Sequence, residues 1–222
     1  MTDILIIDSV FKTYNDRTIL SDIFIKCEIG DIIGVFGRNG SGKSTLFKII
    51  YGITSAENRF VKLNDNVLQK PYLEKNGISY LPQDNFIPWH FTVKKAVSLS
   101  LEQHVFPLFY EDEILKKHQN SRMDELSGGE LKYFQTKLLL FNESKFCLLD
   151  EPYSGLSPIM IDVVNQLIVS QSIHKGILIA DHNYRYLLDV ANRIYFLKDG
   201  SGRFLQNKYE LIRYGYLSEG MI

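Results

Sequence analysis

No stretch of these 222 residues approaches the ~18 consecutive apolar residues that span a bilayer. A membrane helix within the chain is therefore not expected. An excess of one charge sign is also missing: 25 basic residues face 26 acidic ones, for a formal charge of −1. That balance offers no basic face, so no nucleic-acid partner is expected. The start, MTDILIIDSVFKTY, has no basic n-region, and its short apolar run is broken by Asp8. It does not read as a signal peptide. Cysteine is scarce, with Cys27 and Cys147 both inside apolar segments. They read as small buried core residues. A reducing, cytoplasmic location is the default that follows. Repeats, low-complexity segments and a Pro/Ser-rich linker are absent. One domain over 1–222 is the expectation, with enough chain to bury ~70% of its unfolded surface.

What is present is a run of short apolar segments with turn residues between them. ILIID, IFIKCEI and DIIGVF read as strands, Ser44 to Tyr51 as a helix, and RFVKLN and GISYLP as further strands. From about Thr92 to Phe141 the pattern is mostly helical. Then strand and helix signals alternate: FCLLD, a helix over Pro158–His174, GILIA, a helix over Asn183–Ala191, and RIYFL. Continuous apolar strands alternating with helices imply an α/β fold whose parallel sheet is covered on both faces. The middle helical block reads as an insertion or subdomain.

Residues 37–45, GRNGSGKST, lie between a strand and a helix. The pattern G-x-x-x-x-G-K-[ST] fits Gly37, Gly42, Lys43 and Ser44. Glycines let the backbone turn tightly and aim N–H groups at phosphate oxygens, and the helix start adds partial positive charge. Lys43 can reach β and γ phosphates, Ser44 can ligate Mg²⁺, and Thr45 can donate to the α phosphate. Nucleotide binding follows, with Arg38, Asn39, Gly40 and Ser41 completing the loop. A bare glycine turn capping a helix explains less of this context.

Three further signals gain weight beside that loop. KFCLLDEP ends a strand in Asp150 and Glu151. Asp150 can hold Mg²⁺ and Glu151 can polarise the attacking water, whereas alone the pair would read as a solvated strand end. In ELSGGE, Ser127, Gly128 and Gly129 open a second anion-binding helix start, and Ser127 with Glu130 also spells a capping box. Both readings hold together. A second phosphate-binding helix start suits an enzyme that sandwiches ATP between two copies. GILIADHN puts His182 at a strand end, for a γ phosphate or for local packing, and Gln83 in SYLPQD can reach metal or water.

The order GRNGSGKST, LPQD, LSGGE, LLDEP, ADHN resembles the nucleotide-binding subunit of ABC transporters, over nearly the whole chain. LSGGE between a glutamine loop and the acid pair separates this family from other phosphate-loop enzymes. The resemblance implies a mostly parallel core sheet, an antiparallel β subdomain and a helical subdomain. Residues 1–36 and 60–81 would supply the β subdomain and core strands, and about 90–141 the helical part. It implies ATP and Mg²⁺ as cofactors and ATP hydrolysis coupled to transport, with a soluble non-transport ABC ATPase as the alternative. Tyr14 would stack on adenine, Gln83 would sense Mg²⁺ and the membrane partner, Glu151 would be the general base and His182 the switch histidine. Ser127, Gly128 and Gly129 would clamp the γ phosphate on the opposite subunit. The partners implied are a second copy or a similar ATPase subunit, and a transmembrane subunit that holds the chain on the inner membrane face.

Finer features, GISYLPQDNFIPWHFTVKKAV, ADHNYRYLL and ELIRYGYL, are similar to the ATPases of lipopolysaccharide export and branched-chain amino-acid import. Two positions depart from the family. Ser157 stands where Asp is usual, and Leu138 where Arg is usual; both bear on subunit coupling. Phe86, Ile87, Pro88, Trp89 and Phe91 crowd one short loop. They form either a latch between subdomains or a groove for a helix of the membrane subunit.

Overall fold

The computed structural model describes residues 3–221. The chain opens with two long strands, β1 (Ile4–Tyr14) and β2 (Arg17–Glu28). They pair as a hairpin through Asn15 and Asp16, both at positive φ, the conformation a two-residue primed turn requires. Next come β3 (Ile32–Phe36), α1 (Lys43–Tyr51), β4 (Asn58–Leu63), β5 (Asn66–Val67) and β6 (Ile78–Leu81). The middle block holds α2 (Val93–Ser100), α3 (Phe106–Phe109), α4 (Glu113–Lys116) and α5 (Gly128–Phe141). The last part runs β7 (Phe146–Asp150), α6 (Pro158–Ser172), β8 (Gly176–Ala180), α7 (Tyr184–Val190), β9 (Arg193–Lys198), β10 (Ser201–Leu205) and α8 (Glu210–Arg213).

Two sheets result. A four-stranded sheet, β2-β1-β4-β5, is antiparallel throughout. A six-stranded sheet runs β10-β9-β3-β8-β7-β6. Its strands are parallel except β10, which folds back on β9 through the Asp199-Gly200 turn. Strand β10, SGRFL, escaped the sequence reading because it alternates and follows a turn, with little continuous apolar character.

Alternation across the parallel sheet splits the core. Ile33, Val35, Leu148 and Leu178 face the antiparallel sheet together with Leu46, Phe47, Ile49 and Ile50 of α1. Ile32, Phe36, Cys147, Leu149, Ile177 and Ile179 face the helical side. Burying one such side chain stabilises by about 1.5–3 kcal/mol, so α1 is anchored between the layers mainly by its apolar face. Both cysteines are buried and unpaired, and burial pushes both thiols up.

The helical block is breached where the sequence has caps. Thr92 caps α2 and Asp112 caps α4 through their side chains. Asp112 also accepts from Tyr133 and Lys137 on α5, joining the short helices to the long one. The two departures have local roles. Ser157 caps α6, its Oγ accepting from Met160 N at 3.4 Å, and Leu138 is buried in the helical-side core.

Candidate nucleotide site

The strand order sets the site. β3, β8, β7 and β6 are parallel neighbours, so their carboxyl ends emerge along one edge. Off those ends come the phosphate loop, Asp181-His182, Asp150-Glu151 and Gln83. Open α/β sheets bind ligands at such an edge.

The loop enters α1 through Gly42, which sits at φ 100°. A side chain there would be strained, and a Cβ would crowd Ile19 and Leu20 at 3.1 Å. A cavity of about 340 Å³ lies over the loop, lined by Tyr14, Ile19, Asn39, Gly40, Ser41, Gly42, Lys43, Ser44, Thr45, Gln83 and Glu151. Tyr14 is half exposed at its rim. Lys43 Nζ donates to Gly37 O at 2.7 Å and Arg38 O at 3.3 Å. Burial lowers its pKa, while Asp150, Glu151 and Asp181 work against that. Ser41 Oγ is buried without a partner, an unmet polar group in a phosphate cradle. The Arg38 side chain is the exception in the loop: its guanidinium turns away and donates to Gly215 O at 3.3 Å. Only its backbone serves the loop.

Behind the cavity, polar groups converge. Ser44 Oγ donates to Asp150 Oδ1 at 3.0 Å, and Gln83 Nε2 donates to Ser44 Oγ at 3.2 Å and to Glu151 Oε1 at 3.0 Å. Asp150 is buried, which pushes its pKa up to about 6 against the hydrogen bonds from Ser44 and Tyr80. A buried carboxylate of this kind asks for a cation. Among the described residues no cluster of three His, Cys, Asp or Glu could hold a metal by itself. Mg²⁺ needs no such cage, since it commonly takes one or two protein oxygens with phosphates and waters.

Glu151 adopts φ 53°, a left-handed conformation that non-glycine residues rarely keep without a functional reason. Its N–H donates to Ala180 O at 2.7 Å, which pins the kink to β8. His182 is mostly exposed, with Nδ1 4.0 Å from Glu151 Oε2 and 3.5 Å from Asp181 Oδ1. Sequence reading passed over Asp181. It is fully buried, accepts from Tyr153 N and Asn183 N, and so ties the loops after β7 and β8 together. Its place directly before His182 at a strand end was the available signal. Lys132 was missed too: its buried Nζ donates to Pro82 O and Gln83 O.

Ser127, Gly128 and Gly129 do not line the chain's own nucleotide cavity. Ser127 caps α5 in the expected capping box, and it is exposed with Gly128. A Cβ on Gly129 would lie 2.7 Å from Gly155 O, so the helix start packs directly on the loop that follows Glu151.

The ABC transporter family profile matches residues 20–154. The chain belongs to the ABC transporter family. It is an ATP-binding ATPase of that family. Lipopolysaccharide export system ATP-binding protein LptB of Acidithiobacillus ferridurans is 30% identical over 90% of this chain and 88% of its own length. LptB of Escherichia coli K12 is 30% identical over 85% and 84%. These transporter relatives favour the transport reading over a soluble non-transport ATPase. A solved ATP-binding subunit of an ABC transporter superposes with a TM-score of 0.83, over 96% of this chain and 94% of that one. At 20% identity it speaks for the fold alone. The fold is thus the ABC type that the motif order implies, with its parallel core, antiparallel sheet and helical block. No helix among the described residues is long and apolar enough to cross a membrane.

Proposed function

We propose that this chain powers a membrane transporter by closing two copies, or this chain and a similar subunit, around two ATP molecules. The observation that carries the reading is the division of the phosphate groups. The loop, Glu151 and Gln83 share one cavity, while the exposed Ser127-Gly128 helix start lies outside it. A second chain supplies the missing wall. Tyr14 stacks on adenine, the Asn39–Thr45 backbone and Lys43 hold the phosphates, and Glu151 takes the proton of the attacking water. His182, hinged beside Asp181, orients that water or the γ phosphate. Ser44, Asp150 and Gln83 would hold Mg²⁺, which would offset phosphate charge when bound.

The partner reading rests on the aromatic loop. Ile87 is 6% exposed and Phe91 packs on the core, so these two form a latch. Phe86 and Trp89 point outward at 41% and 54% exposure. Phe86 borders a cleft of about 410 Å³ shared with Tyr51, Leu99 and Leu139. That cleft suits a short helix of a transmembrane subunit, which would hold this chain at the inner membrane face. The relatives named for lipopolysaccharide export support that branch of transporter. Pull-down from membranes is the test: Phe86→Ala and Trp89→Ala should keep ATP binding and the melting temperature while losing the membrane subunit. Normal capture by both variants rejects the docking cleft.

A further inference from the structure

The hydroxyl of Ser127 has one proton to give and can accept from others. Its Oγ lies 2.8 Å from Glu130 Oε2 and accepts from Glu130 N at 3.3 Å. Its own N–H also donates to Glu130 Oε2, at 3.1 Å. The orientation of this serine is therefore decided by one carboxylate. The other oxygen of that carboxylate is held from outside the helix. His118 Nε2 is 2.9 Å from Glu130 Oε1, and Lys117 Nζ is 3.3 Å away. The imidazole is itself fixed, with Nδ1 3.2 Å from Ser121 Oγ. His118 sits mostly buried just past α4, nine residues before Ser127 and outside the LSGGE motif itself.

We propose that His118 is a positioning residue for ATP turnover, holding Glu130 so that Ser127 and the α5 helix start face the γ phosphate of the opposite copy. The inference rests on the reading that Ser127 clamps that phosphate. The lysine is exposed and its pairing is screened, whereas the histidine contact is short, sheltered and directional. Loss of the Nε2 donor frees the carboxylate to rotate. Ser127 then loses the partner that fixes its side-chain rotamer, and its Oγ and the α5 helix start are no longer held in one place. A misplacement of ~1 Å at a reacting group can cost 10²-fold in rate; a hydroxyl left mobile should cost about 10-fold or more in kcat.

Two isosteric substitutions separate the ring nitrogens. In His118→Gln the side-chain amide reaches where Nε2 was, toward Glu130. In His118→Asn the shorter amide reaches only where Nδ1 was, toward Ser121. Both remain polar and neither leaves a large cavity. ATP turnover, ADP affinity and melting temperature are measured for both, beside Ser127→Ala. ATP-driven dimerisation of all three is followed by sedimentation in a Glu151→Gln background. The expected result is that His118→Gln keeps turnover and dimerisation, while His118→Asn loses about tenfold in kcat and weakens the dimer. ADP affinity, which uses the chain's own loop, stays unchanged in both. Equal behaviour of the Gln and Asn variants overturns the role of His118, while Ser127→Ala still losing the dimer leaves the sandwich reading standing. If Ser127→Ala dimerises and turns over normally, the clamp reading itself falls, and the role of His118 falls with it.

Discussion

Replacing Glu151 by Gln isolates the proton-accepting step from the geometry around it. Gln83 Nε2 donates to Glu151 Oε1 at 3.0 Å, and an amide oxygen can accept that bond unchanged. The Glu151 N–H to Ala180 O bond does not involve the side chain, so the left-handed kink survives. Glu151 is only half-buried, so a neutral amide in its place should change stability by less than about 1 kcal/mol. What disappears is the basic oxygen. General-base loss costs ~10² to 10⁴ in rate, or about 3–5 kcal/mol of barrier at 1.36 kcal/mol per decade. Phosphate release under saturating ATP should fall by that factor, while ATP binding persists and an ATP-dependent dimer accumulates in sedimentation. Turnover within threefold of the parent would remove Glu151 from the role. A collapsed melting temperature would instead show that the carboxylate holds the kink.

Lys43→Ala should weaken ATP-Mg²⁺ binding by an order of magnitude or more, because a charge-assisted phosphate contact is lost; calorimetry showing unchanged affinity would mean the loop does not cradle phosphate. Ser157→Asp should keep the α6 cap, since Asp caps as well as Ser, and should stabilise the ATP-bound dimer in a Glu151→Gln background. Sedimentation showing no gain would mark the serine as part of a different local solution, and Ser157→Ala should cost about 1 kcal/mol in denaturant melts. Lys175, buried among Asn142 and Ser144 oxygens, is brought down to about 8 by burial. The unfolded chain then binds more protons than the fold between pH 8 and 10.5, so this group makes stability rise with pH across that window. From pH 8 to 9.5 the gain is about 2 kcal/mol, and Lys175→Met should remove that slope.

The phosphate loop, the acid pair and the LSGGE capping box were legible because each is a local device. A glycine at a helix entry, a carboxylate at a strand end and a serine three residues before a glutamate act over one turn of chain. The same holds for the parallel strands, whose continuous apolar runs announce burial on both faces. What the sequence concealed is long-range. Asp181 matters because Tyr153 N lies 3.3 Å from it across 28 positions, and no spacing rule spans that distance. His118 meets Glu130 only because α4 folds back on the start of α5. Arg38 looked like the rest of its loop, yet its side chain found Gly215 at the far end of the chain. Trp89 and Ile87 are two residues apart and both large and hydrophobic, but one is exposed and the other buried, a difference that depends on the packing around the loop.

Helix α5 is where these long-range contacts meet. Ser127 caps its start. One turn on, Lys132 grips the carbonyls of Pro82 and Gln83, and Gln135 donates to Asn85 Oδ1 at 2.5 Å. Asn85 in turn holds Ile87 by both its N–H and its carbonyl, immediately beside Phe86. Gln83 touches Ser44 and Glu151. The nucleotide side, the exposed Ser127-Gly128 helix start and the aromatic loop are thus fastened to one helix. Coupling between binding sites is reciprocal in free energy. If ATP closure shifts α5 and with it the Phe86 loop, a partner gripping Phe86 and Trp89 biases ATP closure by the same factor. The fold has no need of a separate relay, because one 14-residue helix joins all three through buried Lys132 and Gln135.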